Sequence, residues 1–175
     1  GTMMPEMVIK LANRHNLPVP HHFFNENKDG YVWETDGTPQ GNLWGFVRAH
    51  DAMTAVIKTP DDYADITHDC LTRVARENCI YAEITIAPDL ALMAGFSYAD
   101  MCQGLAQGHA RAKAETGIEA RFISTCVRHF GPEAGLKAGR ETHDHPHPLV
   151  TGFGMAGDEN AHTVADFKPA YDAAG

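Results

Sequence analysis

Ile80-Tyr81-Ala82-Glu83-Ile84-Thr85-Ile86 reads as a β-strand: β-branched and aromatic residues dominate it, and Pro88 closes it. A helical pattern ending at Asn78 precedes it, and a long helix from about Ser97 to Thr116 follows it. Met101, Leu105 and Ala112 face inward on that helix, and Gly117 is its C-cap. The alternation then repeats. Glu119–Cys126 is a second strand, Pro132 to about Glu141 a helix, Leu149–Phe153 a third strand, and about Thr163 to Ala174 a last helix. Strand centres near 83, 122 and 151 lie roughly 30–40 residues apart, the spacing of βα units. The order predicts an α/β fold with a parallel sheet and right-handed crossovers.

Working upstream, Thr59-Pro60-Asp61-Asp62 is a helix start, with an N-cap threonine, a proline in the first turn and two acids beside the helix dipole. Tyr63, Ile66, Cys70 and Val74 form its buried stripe. A shorter amphipathic helix covers about 42–57, with Leu43, Phe46, Val47, Met53 and Ile57 on its apolar side. Its apolar patch Leu43-Phe46-Val47 reads first as helix core, and its place after a long irregular stretch, 17–41, also allows a lid over a pocket. Residues 5–16 are a first helix, with Met7, Val8, Leu11 and Ala12 at helical spacing.

Composition narrows the function. The chain has 175 residues, enough for one domain or part of a larger one. It carries 23 acids against 14 Lys and Arg, a net charge of −9, which disfavours nucleic acid and anionic membranes as partners. No run of about 18 apolar residues spans a membrane, and no basic-then-apolar leader opens the chain. Cys70, Cys79, Cys102 and Cys126 show no CxxC spacing and read as reduced thiols of a cytoplasmic protein.

Four motifs carry chemistry. Gly152-Phe153-Gly154-Met155-Ala156-Gly157 matches G-x-G-x-x-G between a strand and a helix. Asp158 and Glu159 follow it, placing negative charge where a pyrophosphate would sit, so the glycines are read as allowing close approach of a small ligand or of the neighbouring strand. A non-catalytic nucleotide-binding module using this loop is the rival reading. His143-Asp144-His145-Pro146-His147 reads as a polar loop before a strand rather than a metal site. Thr85, Arg128, His129, Asp158 and Glu159 lie at the carboxyl ends of strands, where parallel α/β folds collect their ligands. Glu83, inside an apolar strand, is either site-facing or structurally paired.

Taken in order, these stretches resemble the adenosine deaminase family. Gly154-Met155-Ala156-Gly157-Asp158-Glu159 is similar to that family's fourth-strand motif, which ends in Ala-Gly-Asp-Glu. Tyr81-Ala82-Glu83-Ile84-Thr85-Ile86-Ala87-Pro88 resembles its second strand, and Cys126-Val127-Arg128-His129 the end of its third. Asn42-Leu43-Trp44-Gly45-Phe46-Val47 resembles its lid helix. Gly1-Thr2 with Pro5-Glu6 resembles the stretch directly after its first-strand His-x-His motif.

The resemblance implies a partial (β/α)8 TIM barrel over residues 1–175, with a lid-like helix at 42–57, βα units over 80–175, and barrel strands two to four. It implies zinc-dependent hydrolytic deamination: zinc lowers the pKa of a bound water that attacks C6 of a purine, and a carboxylic acid protonates the ring. In the family, zinc is held by two first-strand histidines, a fifth-strand histidine and an aspartate after the eighth strand. The catalytic glutamate belongs to a fifth-strand motif. The chain is read as lying between those motifs, so no catalytic and no metal residue is assigned to it, and alone it is expected to be inactive. Carried over by position, Gly157 matches a glycine whose backbone N–H faces a purine ring nitrogen, and Leu43, Phe46 and Val47 match apolar lid positions. His50 stands where animal enzymes have an aromatic residue, Thr85 replaces an arginine, and Gly154 an aspartate. The Ala-Gly-Asp-Glu ending favours adenosine, a neutral small-molecule nucleoside, over adenine as substrate.

Overall fold

A computed structural model describes residues 2–175. Gly1, part of the N-terminal resemblance, lies outside the described residues. Three strands, β1 (Tyr81–Ile86), β2 (Glu119–Val127) and β3 (Val150–Ala156), form one sheet in the order β1-β2-β3. Both pairings are parallel. Tyr81 faces Glu119 and Ile86 faces Ser124; Ile123 faces Gly152 and Val127 faces Ala156. The register shifts between Phe122 and Ile123, where Thr151 is the extra residue of a bulge.

Seven α-helices accompany these strands among the described residues: α1 (Pro5–Arg14), α2 (Pro39–Thr54), α3 (Pro60–Arg76), α4 (Pro88–Met93), α5 (Tyr98–Thr116), α6 (Pro132–Asp144) and α7 (Lys168–Ala174). Their starts follow from local chemistry. Thr59 and Asp62 form a reciprocal capping box at α3, as Ser97 and Asp100 do at α5. Gly117 ends α5 in the left-handed region, at φ +76°.

One face of the sheet packs on helices. Ala82 and Ile84 join Leu71 of α3, Ala112 of α5, and Ile118 and Ala120. Phe122 and Ile86 join a larger cluster with Met101 and Leu105 of α5 and Val8 and Leu11 of α1. Cys126, Phe153 and Met155 close on Ala138 of α6 and Phe167. Each buried side chain of this kind is worth about 1.5–3 kcal/mol. The other face carries Tyr81, Glu83 and Thr85 of β1, all exposed, beside the half-buried Arg121 and Ile123 of β2.

Helix-on-helix packing is unusually close along α3 and α5. A Cβ added at Gly104 would sit 2.3 Å from the carbonyl oxygen of Pro60, and one at Gly108 would sit 2.4 Å from that of Ala64. α1 docks through charge. Asp62, fully buried, accepts from Arg14 at 2.6 Å and pairs with His15 at 2.8 Å, while Asp65 binds Arg14, Lys10 and Arg111.

Several boundaries differ from expectation. The helix expected over about 42–57 begins at Pro39, because Thr38 caps it and Pro39 fits a first helical turn; it ends at Thr54. Its buried stripe is Gly45, Ala49 and Met53. Pro88, which follows β1, also opens a short helix, α4, that was not expected. α1 stops at Arg14, and α6 runs on to Asp144, so His143 and Asp144 end a helix rather than start a loop. The last helix is split. A 3-10 turn, Val164–Phe167, leads into α7, whose first turn holds Pro169. β3 extends to Ala156, so residues 152–156 are strand and no phosphate loop forms there. The four cysteines are free thiols, and burial pushes that of Cys126 up to about 11.

Candidate functional site at the strand ends

The carboxyl ends of β2 and β3 meet residues that the alternation of elements brings together. Gly157 follows the last ladder pair, at φ +107°. An added Cβ there would lie 2.8 Å from His129 Nδ1 and 3.2 Å from the Arg128 backbone nitrogen, so glycine alone fits. Gly152 and Gly154 face Ile123 of β2, whose side chain would contact an added Cβ at 3.1 Å and 3.4 Å. The neighbouring strand is thus what these two glycines admit.

Arg128 and Asp158 are structural at this site. Arg128 is buried, and its guanidinium donates to the carbonyls of Glu159 at 2.7 Å, His162 at 2.8 Å and Ala161 at 3.2 Å. It thereby shapes the loop after β3. Asp158 is also buried and accepts from the Asn160 backbone N–H at 2.9 Å and from Gln40 Nε2 at 2.7 Å. The Asn160 N–H, Gln40 and the nearby His129 hold the Asp158 carboxyl below the usual carboxylate range, against a smaller burial effect. The His129 ring accepts from the Asp158 N–H at 3.4 Å and meets Trp44 edge-on at 5.3 Å.

Through Gln40 and Trp44, α2 is brought to the end of β3. Along it, Leu43 and Val47 are half-buried and Phe46 is 45% exposed; none belongs to the buried stripe. Phe46 meets Trp33 at 5.5 Å and His50 at 6.0 Å.

Thr85 and Glu159 are exposed. Glu83 accepts from the Tyr81 hydroxyl at 2.9 Å and lies on the open sheet face, across from Arg121. His143 and His145 are exposed beyond the opposite, amino end of β3, and His147 accepts the Leu149 N–H at 3.2 Å. A hollow of about 500 Å³ lies between α5 and residues 145–147, so it is not formed by the strand-end residues. Among the described residues no group of three or more His, Cys, Asp or Glu is arranged to hold a metal.

Sequence reasoning missed Gln40, Asn160 and Asp89. Gln40 and Asn160 lie in segments read as irregular, and only the fold joins them. Asp89 is buried in α4 with its Oδ2 unpartnered, and burial raises its pKa against the opposing effect of the Val127 backbone N–H. A carboxylate one residue past a strand-closing proline was the available signal.

The comparisons with known proteins agree on a family. The family model described as "Adenosine deaminase" matches residues 1–175. A protein of Chelativorans sp. (strain BNC1) named adenine deaminase is 48% identical over 174 residues, covering 99% of this chain and 50% of that protein. The crystal structure of an adenine deaminase from Arthrobacter aurescens superposes with a TM-score of 0.81 at 22% identity, covering 99% of this chain and 50% of that one. An amidohydrolase from Burkholderia ambifaria, solved with bound Zn, gives 0.79 at 21% identity, covering 98% and 45%. This chain spans about half the length of the relatives it matches, and its sheet is the corresponding part of a (β/α)8 barrel. The chain belongs to the adenosine deaminase family.

Proposed function

We propose that this chain forms part of a metal-dependent purine deaminase whose substrate is adenine, a neutral small molecule. One observation carries the choice of adenine over adenosine: the relative 48% identical over nearly the whole chain is named adenine deaminase. The Ala156-Gly157-Asp158-Glu159 run, read from sequence as favouring adenosine, is a four-residue signal set against a match of 174 residues. Adenosine is the second reading, and that run is what favours it.

On this reading the chain binds and orients the base. The Gly157 backbone N–H donates to a purine ring nitrogen; Gly157 lies at positive φ directly after the end of β3. Leu43, Phe46 and Val47 of α2 cover the apolar faces of the ring and exclude water. Arg128 fixes the loop that follows Gly157, which keeps the donor from moving. On this reading zinc is held by residues outside this chain.

The test compares this chain with the complete polypeptide that contains it. Equilibrium dialysis with zinc and measurement of ammonia released from adenine are expected to be positive for the complete polypeptide and negative for residues 1–175 alone. Turnover by the isolated chain would overturn the division of labour. A complete polypeptide inert toward both adenine and adenosine would overturn the function.

A further inference from the structure

We propose that Gln40 is a positioning residue that latches the amino-terminal half of α2 to the loop after β3, and so sets how the lid lies over the strand ends. What α2 covers rests on the function proposed above; the latch does not.

The geometry is a closed ring of hydrogen bonds. Gln40 Nε2 donates to Asp158 Oδ2 at 2.7 Å. Asn160 Nδ2 donates to Gln40 Oε1 at 2.7 Å, and Asp158 Oδ1 accepts the Asn160 N–H at 2.9 Å and Asn160 Nδ2 at 3.3 Å. Both polar atoms of the Gln40 amide are thereby used, one of them on a buried carboxylate. Hydrogen bonds to a charged acceptor are stronger than neutral ones.

The ring matters because it ties that end of α2 to the loop after β3, whereas Asn42 Oδ1, accepting Trp33 Nε1 at 2.9 Å, and Phe46, against Trp33 at 5.5 Å, hold it to the segment before it. Among the described residues, the two halves of α2 are held differently. Its carboxyl-terminal half is anchored, since Ala49 and Met53 lie in the main core with Val56 and Ile57. In its amino-terminal half Gly45 alone is buried, against the Glu34 carbonyl oxygen and the Trp33 ring. Trp44 adds one edge contact to His129. Of the carriers of the proposed substrate cover, Leu43 and Phe46 sit on the segment that Gln40 ties to the loop after β3, and Val47 follows directly. The sequence separation of 118 residues makes the bond a tie between two remote parts of the chain rather than a local cap.

Hydrogen–deuterium exchange on this chain, with Gln40→Glu, Asp158→Asn and the pair, tests the latch. Gln40→Glu sets two carboxylates against each other and is expected to speed exchange of amides 41–48 about tenfold or more. In the pair, the new amide at 158 donates to the new carboxylate at 40, and the Asn160 bonds to both remain available. Exchange should then return to within about twofold of the parent, a rescue that a general loss of folding would not give. Unchanged exchange in Gln40→Glu, or a pair no better than the single variants, would overturn the proposal. So would equal loss of protection in α3 and α5, because Gln40 would then support the core. In the complete polypeptide, Gln40→Glu should raise the KM for adenine by a larger factor than it lowers kcat. A polypeptide that ignores adenine while the exchange results hold would refute the function and leave the latch standing.

Discussion

Gly157 and His129 exclude a side chain between them: a Cβ on Gly157 would stand 2.8 Å from His129 Nδ1. The proposed purine donor is thus backed by an imidazole whose ring is in turn set against Trp44 on α2. Gly157, His129 and Trp44 of α2 lie together at the ends of β2 and β3, where the donor and the lid are proposed.

Gly157→Ala is therefore expected to cost about 1–3 kcal/mol, from positive-φ strain and collision together. Urea unfolding of the chain would read this as a lower midpoint at unchanged slope. Parent-like stability would show that the loop relaxes freely.

Gly104→Ala and Gly108→Ala test the α3–α5 contact. Each new methyl would meet backbone at 2.3 Å or 2.4 Å, which cannot rotate away. Overpacking of this kind costs about 1–3 kcal/mol or more, measured by thermal or urea unfolding. Alanine normally favours helices over glycine, so a gain in stability would refute the packing argument.

Acid should weaken the fold in two steps. His109 is buried, and its Nε2 accepts the Ala120 N–H at 3.3 Å. Burial lowers its pKa, outweighing the pull of Glu119. The unfolded chain therefore binds the proton first, and stability falls as pH drops below about 6.5 until the folded-state value is passed. Asp62 and Asp65 act lower. Burial pushes both carboxyls up, but the Lys58 N–H, Arg14 and His15 at Asp62, and Arg111, Arg14 and Lys10 at Asp65, win and hold both low. Their contribution is present above about pH 4 and is lost below it. Unfolding free energy measured across pH should show both windows, and His109→Gln should remove the upper one alone.

Asp62→Ala removes a fully buried acceptor from Arg14, His15 and two backbone N–H groups, those of Lys58 and Thr59. The expected loss is about 3–5 kcal/mol, read by calorimetry as a lower Tm. A loss under about 1 kcal/mol would mean that α1 is held by its apolar face alone.

Much of this was legible in the sequence because the signals were local. The Thr59 cap, the Gly117 stop, and the inward positions Met101, Leu105 and Ala112 each act within one helix. The βα alternation set the parallel order. The start of α2 was obscured because Gly37, Pro39 and Gly41 read as loop residues, whereas Thr38 accepts the Gly41 N–H and turns Pro39 into a helix opener. β3 ran longer than its β-branched residues implied. Gly152 and Gly154 have low strand propensity but are paired, with Ile123 filling the space their side chains would take. Of the strand-end residues, composition alone could not tell Arg128, which spends its donors on carbonyls, from a ligand-binding arginine. Gln40 left no trace, since its partners lie more than a hundred residues away.

The choice of adenine as substrate is tested most directly by ammonia release from the complete zinc-loaded polypeptide, measured with adenine and with adenosine. The expected kcat/KM for adenine is at least about a hundredfold above that for adenosine, a difference of about 2.7 kcal/mol in transition-state binding. Equal use of the two, or preference for adenosine, would contradict it.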